Sequence, residues 1–524
     1  MNISKAKEYI KHSVSLYLKK DEFGEYRVPV SRQRPIFLLG APGIGKTAIM
    51  EQIAAEMGIA LVSYSMTHHT RQSALGLPFI EKRVYDGKEV SVSEYTMSEI
   101  ISSMYETMEQ SGIKEGILFL DEINCVSETL APSMLLFLQY KVFGRHQVPD
   151  GWVIVTAGNP PEYNKSVREF DVVTMDRMKV LEVEADYSIW RSYAVDRHLH
   201  TAVLNYLDLK KEHFYVMEMT AKGRSYVTAR GWEDLSQMLY LYEEDGLAVD
   251  ESLISQYLHN DQVVKEFAVY YDLYIKYKRD YRIADILAGK ASPEAIQRAQ
   301  NAKFDERLSL LGMLLDKVEA DMGSCMEQAD YLGQVLPLLK AVKAKSMVAD
   351  ARVESISDLL ELQAEGQRKQ LDKLRMANSL SDADRRKFKQ VEKFLVEVRK
   401  QVLTSGTGDE NLGGKQQAGG GFAAVDTAEA AFGIVKTYYD AAVNAMKQAT
   451  VDTGKELHYL FDFAERAFED GNELLVLVTE LTSRNASARY LGAFGSEDYL
   501  RHSRDLMLSE RNAELTEAIK ELDL

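Results

Sequence analysis

A parallel α/β core followed by a long all-α region is the fold class the sequence predicts. Three observations carry it. Four short apolar runs, PIFLLG at 35–40, IALVSYS at 59–65, GILFL at 116–120 and WVIVTA at 152–157, are separated by helical patterns. From Asp186 onward apolar residues recur three or four apart almost throughout, which is the period of a helix with one buried face. Residues 404–425 (TSGTGDENLGGKQQAGGGFAAV) then break that period with a Gly-rich, polar run.

Each apolar run is short, β-branched or aromatic, and bounded by turn residues, which marks a buried strand. Strands spaced by helices imply parallel βαβ units with both sheet faces covered. Between the second and third runs, Asp86-Gly87 separates Arg83-Val84-Tyr85 from Lys88-Glu89-Val90. That dipeptide between alternating runs predicts a hairpin within 79–96. It reads equally as a surface hairpin or as a substrate-touching loop.

In the helical part, Asp186 is an N-cap candidate ahead of YSIWRSYAVDRHLHTAVLNYL, and Ser292-Pro293-Glu294 has the cap-then-proline form of a helix start. Ser381 and Asp384 form a capping-box-like pair before Phe388, Val391, Phe394, Leu395, Val398 and Val402. Those residues make one greasy face, which pairs with another helix of this chain or with a partner. The Gly-rich stretch reads as a linker or long loop.

Composition narrows the function. The 524 residues are 46% hydrophobic and 27% charged, which excludes a wholly disordered chain. A formal net charge of −17 disfavours general binding to phosphate backbones. Two cysteines, Cys125 and Cys325, are too few for a disulfide scaffold. No signal-peptide h-region opens the sequence, and nowhere do 18 apolar residues run together. A cytoplasmic protein with no membrane span is the expectation.

The sharpest chemical signal is Gly40-Ala41-Pro42-Gly43-Ile44-Gly45-Lys46-Thr47, with Ala48 next, which fits the P-loop pattern G-x-x-x-x-G-K-[ST]. Glycines let the backbone turn tightly so that its N–H groups face phosphates, and the following helix presents its positive end. Lys46 then reaches the β- and γ-phosphates and Thr47 ligates Mg²⁺. The third run continues into Asp121-Glu122, two carboxylates at a strand's C-terminal edge, the Walker-B arrangement. Asp121 is assigned to the Mg²⁺ shell through water, and Glu122 to polarising the attacking water. The fourth run ends in Gly158-Asn159-Pro160, at the edge where open α/β sheets bind ligands. Asn159 either aligns that water or is an ordinary turn asparagine.

Together GAPGIGKT (40–47), LFLDEIN (118–124), LAPSMLLFLQ (130–139), TAGNPPEYN (156–164) and MDRM (175–178) resemble the AAA+ ATPases, and within them the MoxR type. The resemblance covers about residues 30–245. It implies an α/β AAA+ nucleotide domain over 1–185 and a helical lid over 186–290. Beyond it, periodicity and composition give a helical extension over 291–403, the linker 404–425 and a helical segment 426–524. Asn159 matches the sensor-1 position. Arg177 matches the arginine finger that acts on a neighbouring subunit's γ-phosphate, with Arg168 the alternative. Arg230 in Thr-Ala-Arg-Gly-Trp resembles the sensor-2 arginine, which contacts nucleotide in cis. The hairpin at 79–96 resembles the helix-2 insertion, and 140–151 stands where the pre-sensor-1 loop would be.

By the same resemblance, ATP and Mg²⁺ are the cofactors and the assembly is a ring, most simply a hexamer. Its activity would be ATP hydrolysis coupled to remodelling a protein client, alongside a separate von Willebrand A-domain partner. Two rivals stand beside it. A nucleic-acid motor would show salt-sensitive stimulation by nucleic acid, and a nucleotide-gated scaffold would bind ATP without turnover.

Overall fold

The structure, a computed structural model, describes residues 1–68, 72, 74, 76–143, 145–163, 167–220, 223–346, 353–406, 428–469 and 471–504. All but the first three residues of the Gly-rich stretch 404–425 lie outside the described residues. The chain divides into two compact units. The first comprises Met1–Ile189, Thr228–Arg230 and Gln367–Arg386, and the second comprises the remainder.

The first unit is built on a five-stranded sheet. Its strands are β1 (Ile36–Gly40), β2 (Ala60–Ser65), β5 (Gly116–Asp121), β8 (Trp152–Gly158) and β9 (Lys179–Val183), in the order β2-β5-β8-β1-β9 and parallel throughout. Four are the apolar runs expected. The fifth, β9, was not expected, because Lys-Val-Leu-Glu-Val has only two consecutive apolar residues between charged ones and lacks a continuous apolar run. Residues of the central strands are almost fully buried, as parallel sheets require. Phe37, Val62, Leu118, Leu120 and Ile154 share one core with Ile100, Met104, Met134 and Phe137 from flanking helices.

Both edges of this sheet are covered. At β9 the Met1 ammonium donates to Glu182 O at 2.8 Å and Glu184 N donates to Met1 O at 2.9 Å. At β2 the turn after the helix Val353–Met376 supplies the cover. Leu61 N donates to Ala377 O at 2.8 Å, and Asn378 Nδ2 donates to Leu61 O at 3.1 Å. Ala377 is fully buried in the same core as Val62. The sequence places this turn inside the helical extension, but it folds with the α/β unit.

Two antiparallel hairpins project from the first unit. In β3 (Pro78–Tyr85) and β4 (Lys88–Tyr95) the turn falls on Asp86-Gly87, both with positive φ, as the dipeptide predicts. The short pair β6 (Val142–Phe143) and β7 (His146–Gln147) follows the helix Ala131–Tyr140. Glu94 joins them, because it pairs with Arg83 at 3.2 Å and with Arg145 at 2.8 Å.

The second unit is mostly helical, with one correction. Residues 216–227 form an antiparallel hairpin of β10 (Val216–Thr220) and β11 (Gly223–Val227), where helix was expected. Val-Met-Glu-Met-Thr alternates with period two, the strand period, and Gly223 has φ 122°, which no helix accommodates. The long pattern after Asp186 is also broken into Tyr187–Asp196 and Thr201–Leu209, with His198 in the left-handed region between them. The helices Phe304–Ser346 and Ala428–Phe468 carry the main core, which includes Leu314, Val318, Leu460 and Phe461. A second cluster joins Leu332, Val335 and Leu339 to Val391, Phe394, Leu395, Val398 and Val402. The greasy face of the helix Asp382–Gly406 therefore packs against this chain's own helices. Its start is capped as expected, with Ser381 Oγ accepting from Asp384 N at 3.0 Å.

Candidate nucleotide site

The site forms where the C-terminal edges of β1, β5 and β8 meet the helix Lys46–Met57. Between β1 and that helix the chain turns through Gly43 (φ 75°) and Gly45 (φ 94°), conformations that a side chain disfavours. Gly40 has a different constraint, because a Cβ there would lie 2.5 Å from Val183 O. Ala41 and Ile44 are buried, and Pro42, Thr47 and Ala48 are half-buried. The helix Ile3–Tyr17 braces this element, with Lys7 donating to Gln52 and Glu56, and Lys11 to Glu56.

Lys46 is the centre. Its side chain is buried, and Nζ donates to Gly40 O at 2.7 Å, Ala41 O at 2.8 Å and Asn159 Oδ1 at 2.8 Å. Burial pushes its pKa down to about 8, and the nearby Arg230 guanidinium adds to that. Asp121 and Glu122 oppose it. No carboxylate hydrogen-bonds the ammonium among the described residues, so its partners are neutral oxygens.

Thr47 Oγ1 donates to Asp121 Oδ2 at 3.0 Å, so the hydroxyl and carboxylate expected around Mg²⁺ lie side by side. Both are oxygen donors, which suits a hard cation. Glu122 takes φ 54°, in the left-handed region, and its N–H donates to Asp121 Oδ1 at 2.8 Å. Its carboxylate is held from β2. Ser65 Oγ and Thr67 Oγ1 each donate to Glu122 Oε2 at 3.0 Å. Ser65 sits opposite Asp121 in the β2–β5 register, which brings its hydroxyl to this edge.

Asn159 follows β8. Its side chain meets Lys46, and its carbonyl accepts from Asn124 Nδ2 at 2.8 Å. Gly158 is required there, since a Cβ would fall 2.5 Å from Asn124 Oδ1. Lys46, Thr47, Asp121, Glu122 and Asn159 thus converge, while Arg230 stands near enough to be felt electrostatically. Arg230 is exposed, at the start of the helix Ala229–Glu244, and Thr228 beside it packs on Gly43.

The two remaining arginines lie elsewhere. Arg177 is exposed at the end of the helix Val172–Asp176 and donates to Gln139 Oε1 at 2.5 Å. Arg168 pairs with Glu128. Sequence reasoning missed Ser65, Thr67 and Asn124. Only the strand-end position of Ser65 could have suggested it.

Among the described residues, no His, Cys, Asp or Glu cluster forms a protein-only metal site, and no helix is long and apolar enough to cross a membrane. Cys125 and Cys325 are free thiols. Burial pushes the Cys125 thiol up, with the Glu122 and Asp121 carboxylates adding to it, which favours the protonated form.

This is a P-loop nucleotide fold. Residues 36–173 match the model of the ATPase family associated with various cellular activities (AAA), so the chain carries an AAA domain there. No curated protein matches the chain. Among solved structures, the FIGL-1 AAA domain in complex with ADP aligns at 14% identity. That alignment covers 53% of this chain and 88% of that one, with a TM-score of 0.30.

Proposed function

We propose that the chain hydrolyses ATP in a MoxR-type AAA+ ring, most simply a hexamer, and couples turnover to remodelling a protein client. One observation carries this reading. Among the described residues, Lys46 is a buried ammonium hydrogen-bonded only to neutral oxygens, with Arg230 nearby and the Asp121-Glu122 pair at the end of β5. Two cations close together gain most from a polyanion between them, and a triphosphate is such an anion. Lys46 and the P-loop amides hold the phosphates, and Arg230 is the sensor-2 contact. Thr47 and Asp121 would hold Mg²⁺, which would supply charge neutralisation when bound. Glu122 polarises water and Asn159 orients it.

Arg177 is the candidate finger, with Arg168 the alternative. Both are exposed in the single chain, as a group that acts on a neighbour must be. The two hairpins meet at Glu94, and the first, which presents exposed Phe79, Ile80, Val84 and Tyr85, serves as the client-facing surface. The separate von Willebrand A-domain partner follows from the MoxR resemblance. The domain divisions at 185, 290, 403 and 425 are kept as a proposal for the functional parts of the chain.

The test measures assembled mass and ATP turnover together, for wild type and Glu122→Gln, with and without ATP–Mg²⁺. The expected result is a nucleotide-driven ring whose turnover falls roughly 10²–10⁴-fold in the variant while assembly persists. A monomer with turnover unchanged in Glu122→Gln would sink both the finger and the ring.

A further inference from the structure

Strand β2 is held at two places by groups far apart in sequence. At Leu61, its outward N–H and C=O are both taken by the turn at 377–378, across 317 residues of chain. Four residues on, Ser65 holds Glu122 Oε2, and Thr67 joins it just past the strand end. A β-strand is stiff along its length, and four residues span only about 13 Å. Its register against β5 is continuous from Ala60–Gly116 to Ser65–Asp121. A shift at Leu61 is therefore carried along the paired strand toward Ser65.

The clasp is specific in construction. Asn378 has φ 49°, the left-handed conformation that asparagine tolerates at a helix C-terminus. That conformation ends the helix Val353–Met376, and the Asn378 amide reaches Leu61 O while Ala377 is driven into the core. The Ala377 carbonyl, released from helical bonding at the chain turn, accepts from Leu61 N. The chain continues as helices on both sides of the turn, so a pull on either helix arrives at Leu61.

We propose that Asn378, with the Ala377 carbonyl, is a remote restraint on ATP hydrolysis. It fixes β2 in the register at which Ser65 and Thr67 restrain the Glu122 carboxylate, and so makes turnover responsive to the helix pair 353–406. The inference rests on the reading of Glu122 as the water-polarising group.

The test uses the full chain with Asn378→Gly, which keeps the left-handed backbone and deletes the amide donor. Asn378→Asp is the second variant, keeping shape while facing Leu61 O with an acceptor. The expected result is a rise in kcat of roughly three- to tenfold with KM for ATP unchanged, and faster hydrogen exchange at the Leu61 amide. In a Ser65→Ala/Thr67→Ala background the same substitution adds nothing, because the linkage is already cut. An unchanged kcat despite faster exchange at Leu61 would overturn the inference and leave the proposed function standing. So would an equal effect in the double-alanine background. A wild type without turnover would overturn both.

Discussion

Buried cations are treated in opposite ways in the two units. In the α/β unit Lys46 is buried among carbonyl oxygens and one amide, with no carboxylate hydrogen-bonded to it among the described residues. In the helical unit Arg484 is equally buried but saturated with acid. It bonds Glu319 at 2.5 Å, Glu480 at 3.0 Å and Asp316 at 3.2 Å, and Arg191 beside it engages Asp208 and Glu480. The first arrangement has electrostatic demand left for an anion from outside. The second has none, and it joins the helices Phe304–Ser346, Asn472–Ser483 and Asn485–Phe494. A buried charge is thus evidence for a ligand only when its counter-charge is missing.

The largest effect that would break this comparison is on stability in the helical unit. Arg484→Met strands Glu319 and Asp316 without their cation, and the expected loss is about 3–5 kcal/mol, read by denaturant unfolding. A near-neutral result would mean the cluster is not a clamp. Lys46→Met gives the mirror image. ATP affinity is expected to fall roughly 10–100-fold, the worth of hydrogen bonds from a charged group, while the melting temperature holds or rises. Equal losses of stability in both variants would erase the distinction between site and clamp.

The smallest effect sharpens the rule with a third buried cation. Lys141 is 1% exposed, donates to Val30 O at 2.5 Å, and is pushed by burial down to about 7. Among the described residues it pairs with no carboxylate. Between about pH 7 and its unfolded value near 10.4, the unfolded chain holds a proton that the folded chain does not. Stability therefore rises with pH across that window and is lowest below it. Lys141→Met should flatten this slope and raise the melting temperature at pH 6.5 more than at pH 10. A slope unchanged by the substitution would remove Lys141 as its source.

How much of this was legible depended on what fixes each feature. The residues from Gly40 to Thr47 follow the P-loop spacing, and the carboxylates Asp121 and Glu122 close an apolar run, so both could be read from residues alone. Turn stereochemistry made Asp86-Gly87 equally plain. β9 and the hairpin at 216–227 were missed because half-exposed strands mix polar with apolar residues and leave no apolar run. Ser65 and Thr67 looked ordinary because their roles come from strand register, which no local pattern carries. Least legible was Asn378, whose partner lies 317 residues away and whose local sequence says only that a helix stops.

That distant contact bears on how the chain can be divided. A fragment ending near residue 290 would keep every residue of the nucleotide motifs. It would also leave Leu61 N–H and C=O bare on an outer strand, beside the hollow that Ala377 fills. An uncovered outer strand is a template for other chains. The compact-looking ATPase piece is therefore the one expected to precipitate, and the segment 367–386, supplied in trans as a peptide, is what should keep it in solution.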